Sequence, residues 1–240
     1  MTIQKLMLVA MTLVCVAQPS PSIAQDSTNQ PPDKTLRKPK PADFNRKIYY
    51  RNKLEFSFDV GWLPLNIPTP FDILNGDPFV REDNLNYTLV PLIGSLRWQM
   101  DNIRGPLFLR GNTELTTSGS YTAIVRGPET RYGAFLMGLR RNFVQPNWRI
   151  VPYLDGHLGL GFCNAKGPDG VVGAQGQDFT FSIMLGAGVR YSFNPRYAIW
   201  AGAGYMHMSN LYLSLPKTPN YGINVWGPMF GVDIRLGKPK

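Results

Sequence analysis

The sequence predicts an all-β fold, an eight-stranded antiparallel transmembrane β-barrel of the outer-membrane type. Three observations predict it. Beyond residue 47, apolar and polar residues alternate with a period of two. The alternating runs exceed the 5 or 6 residues usual in soluble sheets and suffice for tilted spanning strands of about 9–11. Short connections strictly alternate with long ones, as in barrels whose termini and tight turns share one side of a membrane. No apolar run reaches the roughly 20 residues of a spanning helix, so membrane insertion would have to use strands.

In chain order, residues 1–24 read as an export signal. Lys5 precedes an apolar run from Leu6 to Val16, followed by a Pro/Ser break and Ser22-Ile23-Ala24 before Gln25. Residues 25–46 read as a flexible, basic, Pro-rich arm with too little apolar surface to fold. From Gln25 to Lys53 there are eight basic and three acidic residues, a net +5, against +3 for the rest of the mature chain. Such an arm suits an anionic membrane or polymer surface, or serves as a solvated linker. Export argues against nucleic-acid partners. Without the signal, Cys163 is the sole cysteine, which excludes an internal disulfide.

Residues 47–240 hold the barrel, with strands expected at 48–62, 88–101, 106–118, 131–143, 149–162, 179–193, 197–210 and 223–236. In the first, Leu54, Phe56, Phe58, Val60 and Trp62 oppose Glu55, Ser57, Asp59 and Gly61. In the sixth, Phe179, Phe181, Ile183 and Leu185 oppose Thr180, Ser182, Met184 and Gly186. In the last, Phe230, Val232, Ile234 and Leu236 oppose Gly231, Asp233 and Arg235. The turns NIRG, QPN and NPR are short, and the other connections are long, the first running from Leu63 to Tyr87.

The apolar face is expected to meet lipid. The inner face would collect Glu55, Asp59, Arg97, Gln99, Arg110, Glu114, Asp155, His157, Arg190, Asp233 and Arg235 as an ion-pair network in an interior too narrow for a wide pore. Tyr49, Trp62, Trp98, Trp148, Phe193, Tyr197, Tyr205 and Trp226 suit the two interfacial girdles. Pro91, Pro152 and Pro228 fall inside strands, where bulges or displaced boundaries are expected. A soluble lipocalin-like barrel is the rival fold, with its apolar face turned inward.

Two histidines and no spaced cluster of metal-ligating residues predict no metal site and no cofactor. The Gly-x-Gly runs at 159–161, 186–188 and 202–204 lie within strands and lead into no helix, so they read as small inward residues. On the seventh strand, alternation sets Gly202 and Gly204 inward with Met206 and Met208, and His207 and Ser209 outward toward lipid. Asn224 shares that outward face. Polar groups there are unfavourable unless used. A serine nucleophile, a histidine base and an amide that holds the imidazole would form a hydrolytic set. Asn210 or backbone N–H groups would face the oxyanion. The alternative is a rim histidine and a turn serine on a non-catalytic barrel that anchors the envelope or binds a partner.

The stretch His207-Met208-Ser209-Asn210, followed by Pro219-Asn220-Tyr221-Gly222-Ile223-Asn224, resembles the H-x-S-N and P-N-x-G-x-E signature of the lipid A 3-O-deacylase (PagL) family. The resemblance implies an eight-stranded outer-membrane barrel that removes the 3-position acyl chain of lipid A with a lipid-facing Ser-His-Glu triad and no metal. It makes His207 the general base, Ser209 the nucleophile, Asn210 an oxyanion-hole candidate, and Asn220 and Gly222 shapers of the loop. Asn224 stands where the family pattern has Glu, which removes the charge that would stabilise an imidazolium. Lipid A in the outer leaflet is the implied partner.

Overall fold

The structure is a computed structural model. It describes residues 43–237 apart from 67–85, 169, 171–174 and 219–221. The export signal, most of the arm, most of the first long loop and Asn220 lie outside the described residues. Among the described residues nine strands appear: β1 Leu54–Gly61, β2 Leu65–Asn66, β3 Thr88–Gln99, β4 Gly111–Arg126, β5 Arg131–Phe143, β6 Ile150–Cys163, β7 Phe179–Ser192, β8 Tyr197–Ser209 and β9 Ile223–Leu236. From β3 to β9 each strand pairs antiparallel with the next, and β1 pairs with β3. β9 also pairs with β1, from Leu54↔Leu236 to Gly61↔Met229, which closes the barrel. The two-residue β2 continues that seam, with Leu65 opposite Trp226. Eight long strands therefore form the wall, as the periodicity predicts.

Closure sets the faces. On β1, Leu54, Phe56, Phe58 and Val60 are exposed, while Glu55, Ser57 and Asp59 between them are buried. An exposed apolar belt around a charged core inverts the pattern of a soluble barrel and fits hydrocarbon outside. The lipocalin-like alternative is thereby removed.

Inside, ion pairs tie distant strands together. Arg190 reaches Glu55 at 2.6 Å and Asp233 at 2.7 Å, while Arg97 reaches Asp233 at 2.8 Å and Asp59 at 3.1 Å. Lys53 adds a second cation to Glu55 at 2.6 Å, and Trp200 Nε1 donates to Asp59 at 3.0 Å. Arg140 holds Asp155 at 2.7 Å. Small residues make room for these groups: a Cβ at Gly231 would collide with the Trp200 indole and the Asp59 carboxylate. The void lined by Asp59, Arg97, Arg140, Asp155 and His157 amounts to about 30 Å³, the volume of roughly one water.

Several details depart from the sequence reading. The third long strand starts at Gly111, because Gly105 (φ 104°) and Leu107 (φ 41°) turn the chain into a short 3-10 segment at Leu107–Leu109. It then runs to Arg126 through a Ser/Thr-rich stretch whose hydroxyls at Thr116, Ser118 and Thr122 face the core. Arg110 consequently lies outside the barrel interior, paired with Asp43 at 2.7 Å. Tyr49 is not a girdle residue. It packs with Ile48, Val144 and Val151 in a small core at the short-turn end. The prolines cause no bulges: Pro91, Pro152 and Pro228 stay in register with Thr122, Val189 and Ala203. Pro228 can do so because its carbonyl and its missing N–H face the end of β1, where Trp62 N donates to Pro228 O at 3.0 Å.

Residues 43–46, assigned to the arm from sequence, belong with Lys47 to a 3-10 segment at the short-turn end, Phe44–Lys47 with Asp43 as its cap. Asn45 Nδ2 donates to Gln145 O and Trp148 O, at 2.7 and 2.9 Å. Burial alone would raise the Asp43 pKa. The Asn147 N–H and the Arg110 guanidinium outweigh it and hold the carboxyl below its ordinary range.

Replacing Arg190 by Met leaves Glu55 and Asp233 buried with one cation fewer each. The expected loss is roughly 3–5 kcal/mol, read as a lower urea midpoint for the barrel in lipid vesicles. An unchanged midpoint would show that this network does not hold the wall together.

A candidate active site on the lipid-facing wall

β8 alternates as closure requires. Trp200, Met206 and Met208 are buried, while Ile199, Ala203, Tyr205 and His207 take the outward parity. Ser209 ends the strand on that parity, 8% exposed. The register sets Phe181 of β7 opposite Ser209, and Asn224 of β9 opposite His207. Directly opposed residues on one face of an antiparallel pair are within side-chain reach. His207 Nδ1 and Asn224 Oδ1 lie 2.6 Å apart. Tyr205 Oη donates to the same oxygen at 2.8 Å. A carboxamide oxygen only accepts, so with this amide orientation Nδ1 is the donor, which in the neutral ring leaves the lone pair on Nε2.

The loop after β8 turns sharply beyond Ser209. Leu211 N–H donates to Ser209 Oγ at 3.2 Å. Leu211 (φ 54°) and Tyr212 (φ 63°) are both left-handed, and Leu213 N closes the turn on Asn210 O at 3.1 Å. Asn210 is fully buried, and its side-chain nitrogen donates to Gln175 O and, at 2.8 Å, to Ser214 Oγ. Gln175 also donates through Nε2 to Met208 O at 3.2 Å, and through its backbone N–H to Glu129 Oε1 at 3.2 Å. Glu129, itself fully buried, accepts from Tyr87 Oη at 2.5 Å. The segment after Ser209 is thus tied to the β4–β5 and β6–β7 connections.

Gly222 precedes β9 with φ +68°. A Cβ there would meet His207 Cε1 at 3.4 Å and Met208 O at 3.5 Å. The motif glycine therefore lies against the imidazole in a conformation that L side chains resist.

Below His207 an apolar groove of about 690 Å³ runs along the outer wall. Gly186, Ala187, Ala203 and Gly204 form its floor, and Leu154, Ile183, Leu185, Tyr205 and Trp226 its sides. His207 borders it. Ala187 of β7 and Ala203 of β8, directly opposed on the outward parity, cut the channel between larger neighbours.

Of the sequence-named residues, the structure brings His207, Asn224 and Gly222 together and sets Ser209 one outward position beyond His207. Asn210 lies in the adjoining loop with its carboxamide turned into it. Asn220 is outside the described residues. His157 and Asp155 belong to the interior. Sequence reading missed Tyr205 as a site residue, although its parity two positions before His207 was readable. Gln175 and Glu129 carry no such signal, because only the folded loops bring them to Asn210. Among the described residues, no group of three His, Cys, Asp or Glu could hold a metal ion.

A closed barrel with an apolar exterior, and a hydrogen-bonded histidine on that exterior near the long loops, defines an integral membrane barrel of the outer-membrane type. The sequence model of the PagL family, lipid A 3-O-deacylase, matches residues 94–233, more than half of the chain. The chain belongs to that family of outer-membrane hydrolases. The crystal structure of the outer membrane enzyme PagL is similar at 19% identity and a TM-score of 0.49, over 74% of this chain and 97% of that one. Designed transmembrane β-barrels give 14% and 0.38, over 78% and 97%. The Yersinia pestis outer membrane protein Ail gives 14% and 0.34, over 78% and 100%. No curated protein matches the chain.

Gly222→Ala places a Cβ in a left-handed conformation, and the expected cost is about 1–2 kcal/mol, measured as a shift in urea midpoint. An unshifted midpoint would mean that the loop relaxes without holding the imidazole.

Proposed function

We propose that this barrel hydrolyses an acyl ester of lipid A in the outer leaflet, the 3-O ester by family resemblance, with Ser209 as nucleophile and His207 as general base. One observation carries the reading: an imidazole whose Nδ1 is fixed by Asn224 Oδ1 at 2.6 Å borders an apolar groove on the lipid-facing wall. A fatty acyl chain lying along the wall would fill that groove and bring its ester to the histidine.

In the proposed reaction Ser209 Oγ attacks the ester carbonyl as its proton passes to His207 Nε2. The tetrahedral intermediate collapses by breaking the bond to the sugar oxygen, which takes the proton from Nε2. Water, deprotonated by the same nitrogen, then attacks the acyl-serine, whose bond to Oγ breaks as Oγ takes the proton back from Nε2, and the fatty acid is released. Asn224 is the proposed orienting partner. Because the Asn210 side-chain nitrogen is engaged within its loop, the oxyanion is assigned to backbone N–H groups of the turn that Asn210 begins. Asn220 and Gly222 are proposed to shape the loop, as the family motif implies. Arg131 and Lys217, exposed toward the long loops, are suited to the lipid A phosphates. No metal or cofactor enters this scheme.

The reading is tested by mass spectrometry of lipid A incubated with the purified barrel. Ser209→Ala is expected to lower deacylation by on the order of 10³-fold or more; undiminished release of fatty acid would remove the nucleophile, and no deacylation by the parent chain would favour a non-catalytic envelope barrel. Ala203→Trp should obstruct the groove and raise KM for long-chain esters by roughly 10-fold, with short-chain esters little affected. An equal effect on both would place the acyl chain elsewhere.

A further inference from the structure

We propose that Tyr205 is a positioning residue that decides which end of the Asn224 carboxamide faces His207. Its consequence for turnover rests on the deacylase reading; its geometry does not.

A carboxylate beside an imidazole accepts through either oxygen, so its rotation about the terminal bond is immaterial. A carboxamide has one accepting end and one donating end. With oxygen toward the ring, Nδ1 keeps the proton and Nε2 can receive another from a serine. With nitrogen toward the ring, the amide donates to Nδ1, the ring proton moves to Nε2, and no lone pair remains for the nucleophile. The same residue therefore supports or blocks general-base chemistry according to a rotation of 180°, and something must select between the two states.

Tyr205 supplies the selection. It stands directly opposite Trp226 on the outward face, and Asn224 is its diagonal neighbour. The phenol donates to Asn224 Oδ1 at 2.8 Å, and the imidazole nitrogen lies 2.6 Å from that same oxygen. Two donors converge on an atom with two lone pairs. Rotating the amide would set its N–H groups against both partners, so the phenol would have to accept and turn its own proton to a different acceptor. On a lipid-facing wall such rearrangements are costly, because water is scarcer there to replace a lost partner. The phenol thus makes a neutral amide work as a one-way acceptor.

Tyr205→Phe keeps the ring that walls the groove and removes only the donor. The first readout is independent of activity: ¹⁵N NMR of the imidazole nitrogens in histidine-labelled full-length barrel, in lipid nanodiscs, above the pH at which the ring protonates. The parent chain should show His207 protonated at Nδ1, and Tyr205→Phe should show a mixture or the Nε2 form. The second readout is a double-mutant cycle. Tyr205→Phe is expected to lower kcat about tenfold with KM nearly constant. In an Asn224→Asp background, where either oxygen can accept, the same substitution should cost several-fold less. An Nε2-protonated His207 in the parent, an unchanged tautomer in Tyr205→Phe, or equal costs in both backgrounds would each overturn the proposal. A barrel inactive on lipid A whose tautomer still switches upholds the positioning role and strikes only the substrate reading.

Discussion

A sheet inside hydrocarbon cannot leave an edge unpaired, and that constraint organises this chain. The first long strand has to find the last, and β1 does so with β9 over its whole length. Closing the sheet turns one face of every strand into an interior that water barely reaches, so the polar residues on that face must satisfy one another. They do so across the seam: Arg190 on β7 joins Glu55 on β1 to Asp233 on β9, and Arg97 on β3 joins the same Asp233 to Asp59. These pairs add stability only through their mutual geometry, since any one left alone would be a buried charge. What they specify is register.

Register in turn makes the site. A slip of one residue between β8 and β9 would move Asn224 off the histidine and send one of the two to the opposite face. The opposition of His207 to Asn224 is one rung in a ladder that begins at Tyr197 and Ile234. The interior ion pairs and the exterior dyad are thus two faces of the same alignment. The loops do a separate task, holding the segment after Ser209 through Gln175 and the buried Glu129.

This division explains what could be read from the sequence. Period-two alternation is local and strong, so the eight staves, the outward set of His207 and Ser209, and the inward glycines were all legible. The start of β4 was not, because Leu107-Phe108-Leu109 is apolar without alternating and only the positive φ at Gly105 and Leu107 reveals the turn. Prolines mislead for a related reason. Their cost depends on which neighbour the missing donor faces, and at Pro228 it faces the end of β1. Arg110 was placed by the parity, and Tyr49 by its nearness to the end, of strands that begin later than expected. The contacts of Asn210 were illegible because its partner Gln175 lies 35 positions away in another loop.

The identity of residue 224 gains meaning from where it lies. A carboxylate on the hydrocarbon-facing wall would have to be desolvated there, whereas an amide is cheaper to place and needs no counter-charge. The amide gives up two things in return: a charge to meet the imidazolium, and indifference to its own rotation. In the proposed reaction the first loss falls on the transition state. The second is a matter of orientation, and orientation can be supplied by a neutral neighbour. The Tyr205 phenol and the imidazole converging on one oxygen are the uncharged solution that a lipid-facing wall permits.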